Sequence, residues 1–310
     1  MLTPFFAASG KLMLFGEYLV LRDSKCLAVP LVVGQNLKVN TRLEEGILWK
    51  SFEGEKCWLE FELSKELKIL SSSDEEKASL VVKLLKIIQK ENPNLVLNNL
   101  YFEVNLDFNR EFGFGTSSTF ISLLSQWSGV NPYLLLEKSF GGSGYDIVAA
   151  TATKPFVYTL KERKIKELDL PKRITNHLLF VYLGKKQVSS KEILAFQDKN
   201  VSSSQLEQMN TIIEQATQST HIEEWENAMV ESENLLSSIL HIPAVKDHTF
   251  SDYPFAIKSL GAWGGDFVMA TFRELSAAKS YFLEKGFDVF YTYDEIVKPK
   301  CHSFKKGIEK

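Results

Sequence analysis

Glycines and hydroxyl side chains stand together in the segment GFGTSS at positions 113–118, immediately before an apolar helical pattern. A helix start needs one capping hydroxyl, whereas this segment offers Thr116, Ser117 and Ser118. The backbone N–H groups at a helix N-terminus attract anions, and glycine lets a ligand approach the backbone closely. The segment therefore predicts a phosphate or another anion at the helix start. An ordinary capped helix after a glycine turn is the structural alternative.

This segment differs from two widespread nucleotide-binding loops. It lacks the GK[ST] ending of a Walker A loop. It also departs from the dinucleotide-binding fingerprint, because Ser118 stands where the third glycine would be and the residues NRE precede the first glycine. The identity of the anion therefore depends on other segments of the chain.

Three further segments carry residues that could take part in chemistry. GGSGYD places Asp146 after a glycine loop and before a short helix of small residues, and SGKLMLFGEY places Lys11 at the start of a strand. GAWGGD, at 261–266, is a third glycine loop, predicted between a helix and a strand. Taken singly, these segments are explained by a first-turn acid, a strand-edge lysine and a tight turn.

In their order along the chain, the four segments resemble the motifs of the GHMP kinases. This family is named for galactokinase, homoserine kinase, mevalonate kinase and phosphomevalonate kinase. SGKLMLFGEYLVL resembles the family's first motif, GFGTSS its second motif (the phosphate loop), GSGYD its Asp-bearing loop and GAWGGD its third motif. The resemblance spans residues 9–266. The GEY form of the first motif and the GSGYD loop favour the mevalonate and phosphomevalonate kinase-like branch.

The resemblance implies that the chain binds ATP and Mg²⁺. The second motif would hold the ATP phosphates, and the third glycine loop would close over them and over the acceptor. Ser117 would bind Mg²⁺, joined by Glu137, which lies nine residues before Asp146 and has a solvated helix glutamate as its alternative role. The implied phosphate-binding residues are Gly113, Phe114, Gly115, Thr116, Ser117 and Ser118, and those of the third loop are Gly261, Ala262, Gly264 and Gly265.

The resemblance also implies the catalytic roles. Asp146 would accept the proton of the acceptor hydroxyl or orient that hydroxyl. Lys11 would lie beside Asp146, keep it ionised and offset charge on the transferred phosphoryl group. Arg110 and Lys258 are candidate contacts for an acceptor anion, and solvated surface charge is the alternative for both.

Departures from the family pattern leave the acceptor open. Ser9 stands where the first motif usually has proline, and Trp263 occupies a usually small position of the third motif. The favoured function is a mevalonate or phosphomevalonate kinase of isoprenoid biosynthesis. A GHMP kinase for a sugar or an amino-alcohol is a second hypothesis. A non-catalytic nucleotide-binding regulator is a third, and the presence of both Lys11 and Asp146 argues against it.

Composition excludes several other classes of protein. The 310 residues include 36 basic and 39 acidic ones, and a net charge of −3 gives no footprint for nucleic acid. Three scattered cysteines without a CxxC pair fit a reducing cytoplasm, and the five histidines lack metal-ligand spacing. Lys11, Glu17 and Arg22 interrupt the apolar N-terminal stretch, so neither a signal peptide nor a membrane span is expected. The expected partners are ATP and a small-molecule acceptor, with no nucleic acid and no membrane, and homodimer formation is left open.

Strand and helix patterns alternate along the chain and predict the α+β class with two domains, 1–165 and 166–310. The resemblance implies that the first is an ATP-binding domain with a β-sheet and the phosphate loop, and that the second is a ferredoxin-like α/β sandwich. Local patterns predict a strand over 11–21, a hairpin at Gly54, a helix after a Ser73–Glu76 capping box, an alternating strand over 100–108 and a polar boundary region from about 162.

Overall fold

The computed structural model describes residues 4–184, 196–261, 263 and 266–298. The chain divides into two compact units. The first unit comprises Met1–Gly10, Val33–Arg110 and Phe114–Thr151, and the second comprises Lys11–Val32, Glu111–Gly113 and Ala152–Lys310. The chain therefore passes from one unit to the other several times, and the division falls inside the first and second motifs.

Strands and helices alternate through the described residues. The strands are β1 (Phe5–Phe15), β2 (Cys26–Thr41), β3 (Ile47–Glu53), β4 (Lys56–Leu63), β5 (Ile69–Ser72), β6 (Leu100–Leu106), β7 (Phe156–Thr159), β8 (Lys164–Glu167), β9 (Leu178–Tyr182), β10 (Ile257–Leu260), β11 (Phe267–Thr271) and β12 (Phe290–Thr292). The helices are α1 (Glu75–Glu91), α2 (Thr116–Ser128), α3 (Pro132–Glu137), α4 (Tyr145–Thr151), α5 (Lys172–Thr175), α6 (Ser203–Gln218), α7 (Ile222–Leu240), α8 (Val245–Thr249), α9 (Leu275–Glu284) and α10 (Tyr293–Ile296). Single 3₁₀ turns occupy Leu19–Arg22 and Arg110–Phe112.

The first unit is a mixed sheet covered by helices. Its strands follow the order β5-β4-β3-β6, and β6 pairs with the part of β2 that runs from Gln35 to Thr41. The pair β3–β6 is parallel, and the β3–β4 hairpin turns at Gly54 as predicted. The predicted alternation of β6 is confirmed, because Phe102, Val104 and Leu106 are buried.

An aromatic stack holds helix α2 on this sheet. The ring of Trp49 stacks on Phe61 and Phe102, with centroids 5.7 and 4.7 Å apart. Trp127, from the last turns of α2, meets Phe102 edge-on at 4.7 Å. This packing orients α2 rigidly and so determines where its N-terminus, the end of the second motif, lies in the first unit.

The start of helix α1 differs from the prediction by one residue. Asp74, not Ser73, is the N-cap, and its side chain accepts a hydrogen bond from the Lys77 N–H at 3.1 Å. The Ser73 hydroxyl instead accepts the Glu60 N–H, at 2.9 Å, from the neighbouring strand. Ser73 therefore does not cap α1, because its hydroxyl is bound to a neighbouring strand.

The second unit contains a four-stranded antiparallel sheet of order β10-β11-β9-β12. Helices α6 and α7 connect β9 to β10, and α9 connects β11 to β12, which gives the βαββαβ order of a ferredoxin-like sandwich. Leu179, Val181 and Val268 contribute to its core together with Phe250 and Phe282. The α+β class and the ferredoxin-like second part are thus confirmed.

Two local predictions need correction. The strand predicted over 11–21 ends at Phe15, because Gly16 and Tyr18 take positive φ values of 96° and 60° and a 3₁₀ turn follows. The polar segment from about 162, predicted as a boundary region, contains β8, whose exposed residues pair antiparallel with β7. The third glycine segment also follows a strand, β10, where a helix was expected.

Candidate active site

The N-terminus of α2 is built as an open helix end. Its N-cap is Gly115, whose φ of 93° and ψ of 41° place it in the left-handed region that glycine adopts without strain. No side chain caps this helix among the described residues. The hydroxyls of Ser118 and Thr119 both donate to the Gly115 carbonyl, at 2.9 and 3.0 Å. They therefore do not occupy the N–H groups of the first turn, which point toward any ligand at the helix end.

Of the other residues of the second motif, Phe114 is buried and anchors the loop, whereas Ser117 is exposed to solvent. Phe114 is buried and packs its ring against Phe108 at 5.6 Å, which secures the loop to the first unit. Ser117 is exposed in the first turn of α2, and Thr116 is half-buried. An exposed hydroxyl beside open N–H groups suits contact with an anion or its metal ion.

Asp146 stands in the first turn of α4, within the same unit. The loop before it contains Gly141, Gly142 and Gly144, all with positive φ, so the chain turns there without side-chain strain. Asp146 is half-buried, and its Oδ1 accepts the Ile147 N–H at 3.1 Å. Helix α4 packs against α2, so the structure brings the Asp-bearing helix next to the helix that begins at the second motif.

Residues of three motifs meet within the second unit. Lys11 Nζ donates a hydrogen bond to the Gly113 carbonyl oxygen at 2.9 Å, which joins the first motif to the second. A Cβ atom placed on Gly113 would overlap the Asp266 carboxylate, and one placed on Gly261 would lie 4.0 Å from Asp266 Oδ2. The carboxylate thus lies against the first glycines of both loops. We call Lys11, Gly113, Gly261 and Asp266 the loop junction.

An aromatic cluster positions the start of the second motif on the second unit. Phe112 packs against Tyr182 at 4.8 Å and edge-on against Phe267 at 5.7 Å. The Tyr182 hydroxyl donates to the Glu111 carbonyl oxygen at 3.3 Å. Burial raises the pKa of Tyr182, and the negative charges of Asp266 and Glu111 raise it further. The Asp266 carboxylate is therefore electrostatically coupled to the strand that carries Tyr182.

The remaining candidates lie elsewhere. Glu137 lines an open groove of about 1150 Å³ in the first unit, and none of the other lining residues belongs to the second motif or the Asp146 loop. Arg110 pairs with Glu53 at 2.8 Å and lies over the Trp58 ring. Lys258 is fully buried, so the interpretation of Lys258 as an exposed contact for an acceptor anion is wrong. Ala262, Gly264 and Gly265 lie outside the described residues.

Two buried acids, Glu17 and Glu233, form with Lys258 what we call the buried ion-pair cluster. Lys258 Nζ pairs with Glu17 at 2.5 Å, and Glu233 accepts the Ser259 N–H at 3.1 Å. Burial raises the pKa of Glu17. Burial also raises the pKa of Glu233 to about 7, with the Lys258 charge opposing that rise and the Glu17 charge adding to it.

Sequence reasoning missed Asp266, Glu17 and Glu233. Asp266 and Glu17 lie inside the quoted motifs, and an acid directly after a run of glycines was a usable signal for Asp266. Glu233 lies in the middle of an amphipathic helix pattern. Its partner is 26 residues further along the chain, so no local pattern identifies it.

Metal and membrane features are few. Among the described residues, no group of three or more histidine, cysteine, aspartate or glutamate side chains could hold a metal ion. In the same part of the chain, every helix is too short or too polar to cross a bilayer.

Comparison with known proteins shows the fold. No protein-family model and no curated protein matches the sequence. Galactokinase of Lactococcus lactis, complexed with galactose, matches with a TM-score of 0.71 at 11% identity, covering 96% of this chain and 93% of that one. Phosphomevalonate kinase of Streptococcus pneumoniae, in complex with phosphomevalonate and AMPPNP, matches with a TM-score of 0.68 at 16% identity, covering 94% and 99%.

A mevalonate kinase also matches over most of both chains. The enzyme of Methanococcus jannaschii has a TM-score of 0.66 at 15% identity over 94% of this chain and 97% of that one. All three proteins belong to the group of kinases that the four motifs resemble. The chain therefore has the GHMP kinase fold, as its motifs predicted.

Proposed function

We propose that this protein is an ATP-dependent kinase that transfers the γ-phosphoryl group to a small-molecule acceptor. The observation that carries the proposal is the loop junction, where Lys11 holds the first residue of the second motif and Asp266 lies against both glycine loops. Phosphoryl transfer asks a protein mainly for positioning and charge stabilisation. A lysine gathered with two glycine loops suits that task, and the GHMP kinase fold supports the same activity.

The start of α2 fits the phosphates of ATP. Its left-handed Gly115 and its uncapped first turn present N–H groups to an anion. Ser117 is the exposed hydroxyl that would contribute a ligand to Mg²⁺, which takes few protein ligands when phosphates supply the rest. Bound Mg·ATP would supply the phosphoryl group to be transferred. Glu137 stays a predicted metal ligand without support from the residues around it.

Asp146 and Lys11 are the candidate catalytic residues. Asp146 would hold the acceptor hydroxyl and take its proton at a carboxylate oxygen while the hydroxyl oxygen attacks the γ-phosphorus and the bond from that phosphorus to the bridging oxygen of ADP breaks, so that ADP leaves. For an acceptor with a phosphate group, it would orient the attacking oxygen. Lys11, held by the Gly113 carbonyl, would offset the negative charge that builds up on the transferred phosphoryl group.

The acceptor proposed first is mevalonate or phosphomevalonate. The GEY first motif and the GSGYD loop support this choice, and so does the match to kinases of both compounds. A sugar acceptor is the second candidate, because a galactokinase complexed with galactose matches over most of both chains. A nucleotide-binding regulator without turnover is the remaining alternative.

The test is ADP release with mevalonate, phosphomevalonate, homoserine and galactose offered in parallel. We expect sustained turnover on mevalonate or phosphomevalonate, and a loss of about 100-fold or more in the Asp146→Asn variant, the scale of general-base effects. Glu137→Gln tests the predicted metal ligand separately, and retained turnover in this variant would indicate a solvated helix residue. Turnover on galactose alone would replace the acceptor, and Mg·ATP binding without any turnover would favour the regulator.

A further inference from the structure

Tyr18, in the GEY of the first motif, has an unusual backbone conformation. Its φ of 60° combined with a ψ of −47° lies in a region that side-chain-bearing residues rarely adopt. Its side chain is buried, and its ring packs against Phe196 with centroids 5.3 Å apart. Strained backbone persists only where surrounding contacts hold it, and it concentrates at functional sites.

The turn that carries Tyr18 leaves no room for a side chain at Gly16, two residues earlier. Gly16 has a φ of 96°, and a Cβ placed there would collide with Cys26 Cα at 2.7 Å. The chain therefore reverses sharply at Gly16 and presents Glu17 and Tyr18 in a defined direction. The first motif therefore contains the strand that carries Lys11 and a sharp turn that fixes the direction of the Glu17 and Tyr18 side chains.

Both of these side chains contact the segment around the third glycine loop. The Tyr18 hydroxyl accepts a hydrogen bond from the Trp263 backbone N–H at 2.9 Å. The Glu17 carboxylate pairs with Lys258, which lies three residues before Gly261. Glu233 holds the next residue, Ser259, by its N–H. The segment is thus bound on both sides of Gly261.

We propose that Tyr18 is a positioning residue that fixes the backbone of Trp263 to the first motif through the Trp263 N–H. The inference rests on the proposed kinase function only for its consequence in turnover, because the contact itself can be measured without ATP. It also involves one departure from the family pattern, the large Trp263 at a usually small position of the third motif. The Tyr18 hydroxyl binds the backbone N–H of Trp263.

The experiment compares Tyr18→Phe with Tyr253→Phe. Each variant loses one buried hydroxyl, and Tyr253 is a matched control because its hydroxyl donates to the Thr271 carbonyl at 2.7 Å, at the far end of β11 from the third loop. Backbone amide hydrogen exchange of Trp263 is followed by NMR. We expect about 10-fold faster exchange of this amide in Tyr18→Phe, the size of one lost hydrogen bond, and no change in Tyr253→Phe.

Turnover provides the second readout. If the third loop covers the ATP phosphates, Tyr18→Phe should raise KM for Mg·ATP about 10-fold with a smaller change in kcat, since a loosened loop loses ground-state contacts first. Equal Trp263 exchange in the wild type and Tyr18→Phe would overturn the inference. So would a wild-type Trp263 amide without protection, which needs no variant to measure. A wild type without turnover on any acceptor would reject the kinase proposal while leaving the exchange result to decide the positioning role.

Discussion

Two groups of charged residues in the second unit contact the glycine motifs in different ways. In the loop junction, Lys11 is half-buried and donates to a backbone carbonyl, that of Gly113. In the buried ion-pair cluster, Lys258 is fully buried and donates to the carboxylate of Glu17. A lysine removed from water needs a counter-charge to remain ionised, whereas one at a partly open site can direct its charge at a ligand. This difference supports the chemical role that we propose for the first group and indicates a structural role for the second.

The largest expected effect belongs to the buried cluster. Lys258→Met leaves the Glu17 carboxylate without its counter-charge, and breaking a buried pair in this way costs about 3–5 kcal/mol of unfolding free energy. Urea unfolding at pH 7 measures the loss. The double variant Glu17→Gln with Lys258→Met should recover most of it, because no charge is then left unpaired. A Lys258→Met protein as stable as the wild type would break the comparison.

The pH dependence of stability sharpens the same comparison. Burial raises the pKa of Glu233 in the folded protein to about 7, whereas the unfolded chain releases this proton near the ordinary glutamate pKa of 4.5. The folded state therefore binds more protons in this window, and stability falls as pH rises from about 4.5 through 7. The pKa difference corresponds to at most about 3 kcal/mol.

Glu233→Gln is the variant that isolates this effect. The unfolding free energy of Glu233→Gln should lack the fall with rising pH that Glu233 causes in the wild type. The difference in unfolding free energy between the variant and the wild type should therefore grow from pH 5 to pH 8. Glu226→Gln, on the same helix, is the matched control, because Arg273 and Thr271 hydrogen bonds lower the pKa of Glu226 against the effect of its burial. A difference between Glu233→Gln and wild type that does not change with pH would remove Glu233 from the cluster's titration.

Local sequence signals predicted much of the framework. Asn131 caps α3 with Pro132 as its first residue, and Gly129 ends α2 in the left-handed conformation, which are features that the residue types alone indicate. These features depend on a few neighbouring residues and on the backbone alone. The glycine segments were identified for the same reason.

Long-range contacts account for what the sequence did not show. The Lys258–Glu17 pair joins residues 241 positions apart, so Lys258 was interpreted as an exposed charge. Ser73 failed as a cap because its hydroxyl was taken by Glu60 of a neighbouring strand. The positive φ of Tyr18 is sustained by contacts with distant residues, and an ordinary strand pattern concealed it.

The smallest expected effect concerns space in the loop junction. Gly113→Ala should cost about 2 kcal/mol more than Gly141→Ala, because its Cβ must displace the buried Asp266 carboxylate. Gly141 is a close match, since its φ of 67° equals that of Gly113 within one degree and a Cβ there meets nothing within 4 Å. Thermal unfolding of both variants checks the difference. Adding Asp266→Ala to Gly113→Ala should remove the excess cost, and an excess that persists would place the obstruction elsewhere.

The most direct test of the account is Lys11→Met, measured for both turnover and stability. The account predicts a loss of about 100-fold in ADP release on the acceptor that the wild type uses, because charge on the transferred phosphoryl group is no longer offset. The unfolding free energy should change by no more than about 1 kcal/mol, the value of one hydrogen bond to a carbonyl. Near-normal turnover in Lys11→Met, or a loss of stability as large as that of Lys258→Met, would contradict the chemical role assigned to the loop junction.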